Sequence, residues 1–87
     1  RSLNVQKAFL SVAGVNERGF YNSNGLLVET ERTMMQSADR TIIVADSSKF
    51  GRSSLAILCD WARVHTLVSD EQLDPHWIKI AELAQVT

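Results

Sequence analysis

The pattern of apolar and polar positions predicts three buried strands. Short apolar runs occupy residues 8–12, 41–45 and 64–69, and each gives way to polar or glycine-containing sequence. Runs of this length are typical of strands buried inside a sheet. The clearest is Thr-Ile-Ile-Val-Ala at 41–45, which changes abruptly into Asp-Ser-Ser-Lys-Phe-Gly-Arg at 46–52.

A first amphipathic helix is predicted over residues 26–37. Ser23 or Asn24 can cap its amino end. At 100° per residue, one side of this helix carries the apolar set Leu27, Met34 and Ala38. We therefore expect Met34 and Met35 to pack in the core rather than to contact a ligand.

The final helix has the strongest local signals. Asp74 can cap it, and Pro75 suits its first position. Apolar residues then follow with helical spacing, namely Trp77, Ile80, Ala81 and Ala84. This pattern predicts a helix with one face against the core.

Two further segments carry weaker signals. Residues 15–25 contain two glycines and three asparagines, which predicts a long loop. Residues 53–59 fit either a helix capped by Ser53 or Ser54 or a short strand. The stretch is too short for periodicity to decide between them.

The order of predicted elements is typical of an α/β protein. Strands alternate with helices, which predicts βαβ units, a mostly parallel sheet and helices on its faces in three layers. With 87 residues, the chain can form a single domain over 1–87 and no second core. Because the sequence opens on Arg1 rather than methionine, we expect it to be a piece of a longer protein.

Composition and charge narrow the classes of function. The net charge is −1, which is not basic enough to hold a nucleic-acid backbone by charge alone. The apolar runs are far shorter than the ~20 residues of a membrane-spanning helix, so no membrane contact is expected. The single cysteine, Cys59, cannot form an intrachain disulfide, which favours a cytoplasmic location.

No metal site, cofactor or catalytic residue is predicted. His65 and His76 have no third ligand at a metal spacing, and Cys59 has no CxxC partner. Cys59 is expected to pack in the core, and the two tryptophans in the core or at an interface. The acidic positions 70, 71 and 74 fit a solvated loop and a helix cap.

The polar loop at 46–52 is the leading candidate for a binding site. It follows a buried strand and should lie at the sheet edge where α/β proteins bind ligands. Backbone N–H groups, the Ser47 and Ser48 hydroxyls and the Lys49 ammonium could surround one anion. Asp46 would repel a phosphate and is expected to accept from a sugar hydroxyl or to hold Lys49 or Arg52. An ordinary polar turn is an equal alternative, because the Walker pattern is absent.

A second loop, 14–19, follows the first strand and could meet the loop 46–52 at the same edge. Asn16 and Glu17 could hydrogen-bond a polyol. On spacing alone, a plain turn is the favoured interpretation.

Several of these strings resemble the effector-binding domain of DeoR-family transcriptional regulators. The specific marker is Val44-Ala-Asp-Ser-Ser-Lys-Phe-Gly-Arg52, followed by Leu67-Val-Ser-Asp70 and Leu73-Asp-Pro75. Residues 29–38 look like the helix that precedes this strand in the family. Gly14-Val15, with Gly19 beyond it, stands where the family carries a Gly-Ile-Asp…Gly loop. The resemblance covers about residues 7–85.

The resemblance implies both a fold and a function. The fold would be similar to that of ribose-phosphate isomerase, glucosamine-phosphate deaminase and CoA-transferases, with this chain as its C-terminal half. The function would be the sensor module of a repressor of carbohydrate catabolism that binds a phosphorylated sugar or sugar alcohol. DNA would be contacted only through a helix-turn-helix absent from this chain, and a homo-oligomer is expected.

The resemblance also implies which residues bind the effector. The implied phosphate contacts are Lys49, Ser47, Ser48 and Arg52. The implied hydroxyl contacts are Asp46 and Asn16, while Gly14 and Gly19 would allow close backbone approach. Asn16 replaces the usual aspartate of the family and cannot act as a general base, so we expect a sensor and not an enzyme. The alternatives are a sugar-phosphate isomerase or deaminase on the same fold, and a dimerisation module.

Overall fold

The three apolar runs pair side by side in one parallel sheet. In the computed structural model, which describes residues 6–87, the strands in chain order are β1 (Lys7–Ser11), β2 (Gly14–Asn16), β3 (Gly19–Asn22), β4 (Arg40–Val44), β5 (Ala56–Cys59) and β6 (Thr66–Val68). The helices are α1 (Gly25–Ser37) and α2 (Pro75–Leu83), and single 3-10 turns cover Ser47–Lys49 and Trp61–Arg63. The prediction of an α/β protein with a parallel sheet is confirmed.

The parallel sheet has the strand order β1-β4-β6. Strand β4 lies in the middle, with Ile43 opposite Leu10 on one side and Leu67 on the other. Since all three strands run in the same direction, their carboxyl ends lie at one edge of the sheet. The segments that follow β1, β4 and β6 therefore start next to one another.

Most of residues 15–25 belongs to a β-hairpin that spans residues 14–22, so the predicted long loop is wrong. Strands β2 and β3 pair antiparallel around Glu17 and Arg18, and β5 pairs with β3 to complete a second sheet in the order β2-β3-β5. Tight hairpin turns are usually recognised by Asn-Gly, whose residues adopt a positive φ. Here the turn residues are Glu-Arg, and neither has a positive φ. The same pairing shows that the undecided segment 53–59 contains a strand.

Helix α1 has the predicted extent but presents a different face to the core. Asn24 caps it, with its Oδ1 accepting from the backbone N–H groups of the first turn. Its buried residues are Val28, Glu31 and Met35, whereas Leu27 and Met34 are about half exposed. The prediction missed this face because Glu31 interrupts the apolar stripe. The Glu31 carboxylate is buried because its Oε1 accepts from Asn22 Nδ2 at 2.8 Å.

Helix α2 forms as predicted. The Asp74 side chain accepts from the backbone N–H of His76, and Pro75 occupies the first helical position. Trp77 is buried and packs against Phe50, with 5.5 Å between the ring centroids. This contact joins the amino end of α2 to the loop that follows β4.

The core lies on one side of the parallel sheet. Leu10 and Ile43 point into it from β1 and β4, and they meet buried residues of the second sheet and of both helices. Both tryptophans are buried, as predicted, and Trp61 packs on Phe20 with 4.7 Å between the ring centroids. This cluster joins one face of the parallel sheet to the second sheet and to both helices.

Candidate functional site

The loop 46–52 leaves the carboxyl end of the central strand β4. Its first part is the 3-10 turn Ser47–Lys49, which Asp46 caps. Asp46 Oδ1 accepts from the backbone N–H of Ser48 at 3.0 Å and also from the Ser48 hydroxyl. These bonds stabilise the carboxylate and hold the pKa of Asp46 below its ordinary value of 3.8.

A second aspartate, Asp70, reaches the same turn from the end of β6. Asp70 Oδ2 accepts from the backbone N–H of Ser47 at 2.9 Å and from the Ser47 hydroxyl at 3.1 Å. The backbone bond from Ser47 is the largest cause that lowers the pKa of Asp70. Sequence reasoning placed Asp70 only in a solvated loop and missed this role. The signal was present, because Asp46 and Asp70 follow neighbouring parallel strands.

The second half of the loop runs along the hairpin. The backbone N–H groups of Gly51 and Arg52 both donate to the carbonyl of Val15, at 2.7 and 3.1 Å. Phe50 forms a parallel bridge with Val15 just before these contacts. The two segments that were expected to meet at this sheet edge do meet, through backbone hydrogen bonds.

Every backbone N–H from Ser47 to Arg52 is bonded within the chain. Ser47 and Ser48 donate to the two aspartates, Lys49 to the Asp46 carbonyl, Phe50 to the Ser47 carbonyl, and the last two to Val15. Both serine hydroxyls also give their protons to aspartates. In this conformation the loop backbone therefore offers no spare donor to an anion, and each serine hydroxyl can only accept from a ligand.

The remaining donors of the loop are its two cationic side chains. The Lys49 ammonium lies 4.0 Å from Asp46 Oδ2, and both side chains are exposed to solvent. An exposed pair at this distance contributes little to stability, on the order of 0–1 kcal/mol. Arg52 is also exposed. Lys49 and Arg52 are thus the loop side chains that can still pair with a phosphate.

The side-chain and backbone oxygens of Asn16 accept hydrogen bonds from within the chain. Its Oδ1 accepts from the backbone N–H of Arg18 at 2.9 Å and of Gly19 at 3.2 Å. Its backbone carbonyl accepts from Trp61 Nε1 at 2.8 Å, which ties the turn to the core. Only the side-chain amide N–H groups of Asn16 are left to meet a ligand.

Gly14 and Gly19 make room for neighbouring backbone. A Cβ on Gly19 would lie 2.2 Å from the carbonyl oxygen of Cys59, and the φ of Gly19 is +154°. A Cβ on Gly14 would lie 2.8 Å from the carbonyl oxygen of Arg52. The close approach that these glycines permit is therefore to strand β5 and to the loop 46–52.

The two histidines form hydrogen bonds within the chain, and the cysteine is largely buried. His65 Nδ1 accepts from the backbone N–H of Thr41 at 2.9 Å, so this ring joins the starts of β4 and β6. His76 Nε2 lies 3.0 Å from Glu17 Oε2, and this hydrogen bond is the main cause that lowers the pKa of Glu17. Burial raises the pKa of the Cys59 thiol to about 12, which disfavours the thiolate needed of a nucleophile.

Two grooves adjoin these elements. One, of about 420 Å³, lies between β6 and α2; its charged lining residues are Asp70, Glu71 and Glu82. A smaller one, of about 200 Å³, includes Arg32 and Arg63. The Arg32 guanidinium there already donates to the carbonyls of Ile57 and Leu58. Residues 46–52 line neither groove.

Among residues 6–87, no cluster of three or more potential metal ligands occurs. Over the same range, neither helix is long and apolar enough to span a membrane.

The geometry and the marker string agree with what comparison with known proteins shows. The model of the DeoR C-terminal sensor domain matches residues 1–71, and the chain belongs to this family. The suspected resemblance is therefore confirmed.

Individual relatives are transcriptional regulators. The chain is 32% identical over 81 residues to the L-fucose operon activator of Haemophilus influenzae, covering 92% of this chain and 32% of that protein. It is 31% identical over 84 residues to the HTH-type transcriptional regulator IolR of Bacillus subtilis, covering 95% of this chain and 34% of the relative. It is 35% identical over 72 residues to the transcriptional repressor AccR of Agrobacterium fabrum, covering 80% of this chain and 28% of that protein. The chain thus spans about a third of the length of the curated relatives it matches.

Proposed function

We propose that this chain is part of the effector sensor of a transcriptional regulator of carbohydrate catabolism. Its membership in the DeoR sensor family and the name of the L-fucose operon activator support this role. The proposed effector is a phosphorylated sugar or sugar alcohol bound at the loop 46–52. The observation that carries the site is that Lys49 and Arg52 are exposed cations on a loop whose backbone donors are all engaged.

The proposed contacts divide by chemistry. Lys49 and Arg52 would pair with the phosphate, since charge-assisted bonds to phosphate are the strongest available here. Sugar hydroxyls would donate to the Ser47 and Ser48 oxygens and to Asp46 Oδ2. Asn16 would contact a hydroxyl through its amide N–H groups, at the point where the hairpin meets the loop.

The rest of the regulator would complete the pocket. We propose that residues 1–87 are the C-terminal half of a three-layer sensor similar to ribose-phosphate isomerase. A helix-turn-helix domain elsewhere in the protein would contact DNA. The length of the relatives supports this arrangement. In the whole protein, which we propose to be a cytoplasmic homo-oligomer, the effector changes DNA affinity only by binding one conformational state better than another.

The proposed role is binding without catalysis. The relatives are regulators, and the Asn16 carboxamide has no proton-accepting carboxylate. Incubation of the full-length protein with aldose and ketose phosphates should show binding and no turnover. Turnover would instead favour a sugar-phosphate isomerase or deaminase.

Calorimetric titration of the full-length regulator with a panel of sugar phosphates tests the site. Lys49→Ala should weaken binding by more than about 1.5 kcal/mol, because a charge-assisted contact is lost. Lys79→Ala, which removes the same charge from exposed α2, is the matched control and should bind like the wild type. An equal affinity in wild type and Lys49→Ala would rule out the proposed site.

A further inference from the structure

The smaller groove, of about 200 Å³, lies between helix α1 and the segment at the end of strand β5. Helix α1 supplies Arg32 and Gln36, which are one turn apart and therefore share a face of the helix. The other side supplies Asp60 and also Arg63, which ends the second 3-10 turn. Because no residue of the loop 46–52 lines this groove, it is not part of the proposed effector site.

Two arginines face this groove with unused donors. The Nε of Arg32 donates to the carbonyl of Leu58 at 3.1 Å, and its Nη2 donates to the carbonyl of Ile57. These two bonds fix the plane of the guanidinium and leave Nη1 without a hydrogen bond within residues 6–87. Neither Arg32 nor Arg63 forms an ion pair in the same part of the chain. The fold therefore orients one guanidinium and brings a second beside it without neutralising either.

The Cys59 thiol also lines the groove, and its pKa reflects both arginines. Burial is the main cause that raises this pKa to about 12, whereas the positive charges of Arg63 and Arg32 act in the opposite direction. Both guanidiniums are thus close enough for their charges to act on one point in the groove.

The lining residues favour an anion as ligand. Two arginines and one carboxylate, that of Asp60, leave an excess of one positive charge. The apolar side chains of Met35 and Leu58 are buried in the wall and strengthen the field of this charge. Guanidinium groups pair best with carboxylate and phosphate. The groove is smaller than the ~300–1,000 Å³ of most ligand pockets, so it fits a small oxyanion or the charged end of a larger molecule.

We propose that this groove is a second anion site, which binds a carboxylate or phosphate group through Arg32, Arg63 and the Gln36 carboxamide. It goes beyond the proposed function, since the effector contacts lie on the loop after β4. The second 3-10 turn connects the two regions, because Trp61 on this turn donates from Nε1 to the Asn16 carbonyl at 2.8 Å. An anion held by Arg63 would therefore act on the turn that ties the hairpin to the core.

Calorimetric titration of the full-length protein tests the proposal in a Lys49→Ala background, which removes a phosphate contact of the effector loop. Inorganic phosphate and succinate would be titrated separately at equal ionic strength, so that the two arms distinguish a phosphorylated ligand from a carboxylate. Binding of either anion is expected. Adding Arg63→Gln should weaken it at least about fivefold, because a charge-assisted contact is lost.

A second substitution should act with the opposite sign. Asp60→Asn removes a carboxylate that repels the anion, so binding should tighten about two- to fivefold. The Asp60 side chain forms no capping hydrogen bond, so this change should not disturb the turn. Lys79→Ala is the matched control: it removes an exposed cation that does not line the groove, and affinity should stay unchanged.

Three results would overturn the proposal. The first is that neither anion binds, and the second is that Arg63→Gln or Asp60→Asn leaves the affinity unchanged. The third is that Arg63→Gln lowers the free energy of unfolding while no anion binds, which would show that a carboxylate of the protein itself fills the groove. Since no sugar phosphate is used, a failure of the proposed effector site would leave the result intact.

Discussion

The loop 46–52 and the hairpin 14–22 meet at one sheet edge, yet their polar residues have different roles. In the hairpin, Asn16 closes the turn and Gly19 makes room for the Cys59 carbonyl. At the loop, Asp46 and Asp70 accept from the two serine hydroxyls. The Lys49 side chain is 39% exposed, and Arg52 is exposed. The hairpin uses Asn16 and Gly19 for folding, whereas the loop presents two cationic side chains to solvent.

This difference separates two kinds of mutational effect. Changes in the hairpin should lower the free energy of unfolding, because they disturb contacts within the chain. Changes to the loop cations should lower effector affinity and leave stability nearly unchanged. A loop-cation variant that lost stability, or a Gly19 variant that kept it, would contradict the comparison.

The largest effect is expected at Gly19. In Gly19→Ala, the new Cβ would collide with the Cys59 carbonyl in a backbone conformation that favours glycine. We expect a loss of about 3 kcal/mol or more in the free energy of unfolding, measured by urea denaturation. Gly25→Ala is the control: apart from neighbouring residues and the adjacent helix backbone, no described atom lies within 4 Å of the added Cβ. This variant should match or slightly exceed wild-type stability. Equal stability of the two variants would contradict the packing role of Gly19.

A smaller loss is expected at Asn16. Asn16→Ala removes the acceptor for the N–H groups of Arg18 and Gly19, which should cost about 1–2 kcal/mol of stability in the same assay. Asn16→Asp keeps an oxygen in place and should stay within about 0.5 kcal/mol of wild type. If Asn16→Asp were as unstable as Asn16→Ala, the turn would not depend on this acceptor.

The smallest effect is the pH dependence of stability that Asp46 and Asp70 cause. The pKa values of Asp46 and Asp70 are lowered from 3.8, so their contribution to stability is complete above that pH. It is lost as the pH falls through the lowered folded-state values. Urea denaturation at stepwise lower pH should show this decline, and it should be shallower in Asp70→Asn. An identical pH profile for Asp70→Asn would show that Asp70 does not stabilise the turn through its charge.

Local signals account for what the sequence could predict. The apolar run 41–45 and the Asp74-Pro75 start of α2 are defined by adjacent residues, and both elements form as expected. The hairpin was missed because Glu17 and Arg18 form a turn without its usual residues. The core face of α1 was missed because the partner that buries Glu31 is Asn22, on another element.

The candidate site shows the same limit. Its position after β4 follows from the sequence. The sequence does not show which of its hydrogen-bond donors are already bonded within the chain. Ser47 is bonded to Asp70, 23 residues away, and Gly51 is bonded to Val15 on the hairpin. Such long-range pairings decide which groups remain open to a ligand, and they exist only once the two sheets are assembled.

The most direct test measures affinity and stability on the same sample of full-length Lys49→Ala. Calorimetric titration with the sugar phosphate that binds wild type best would be combined with urea denaturation. We expect affinity to fall by more than about 1.5 kcal/mol, roughly twelvefold or more, with the free energy of unfolding within about 0.5 kcal/mol of wild type. Unchanged affinity, or a loss of affinity matched by an equal loss of stability, would contradict it.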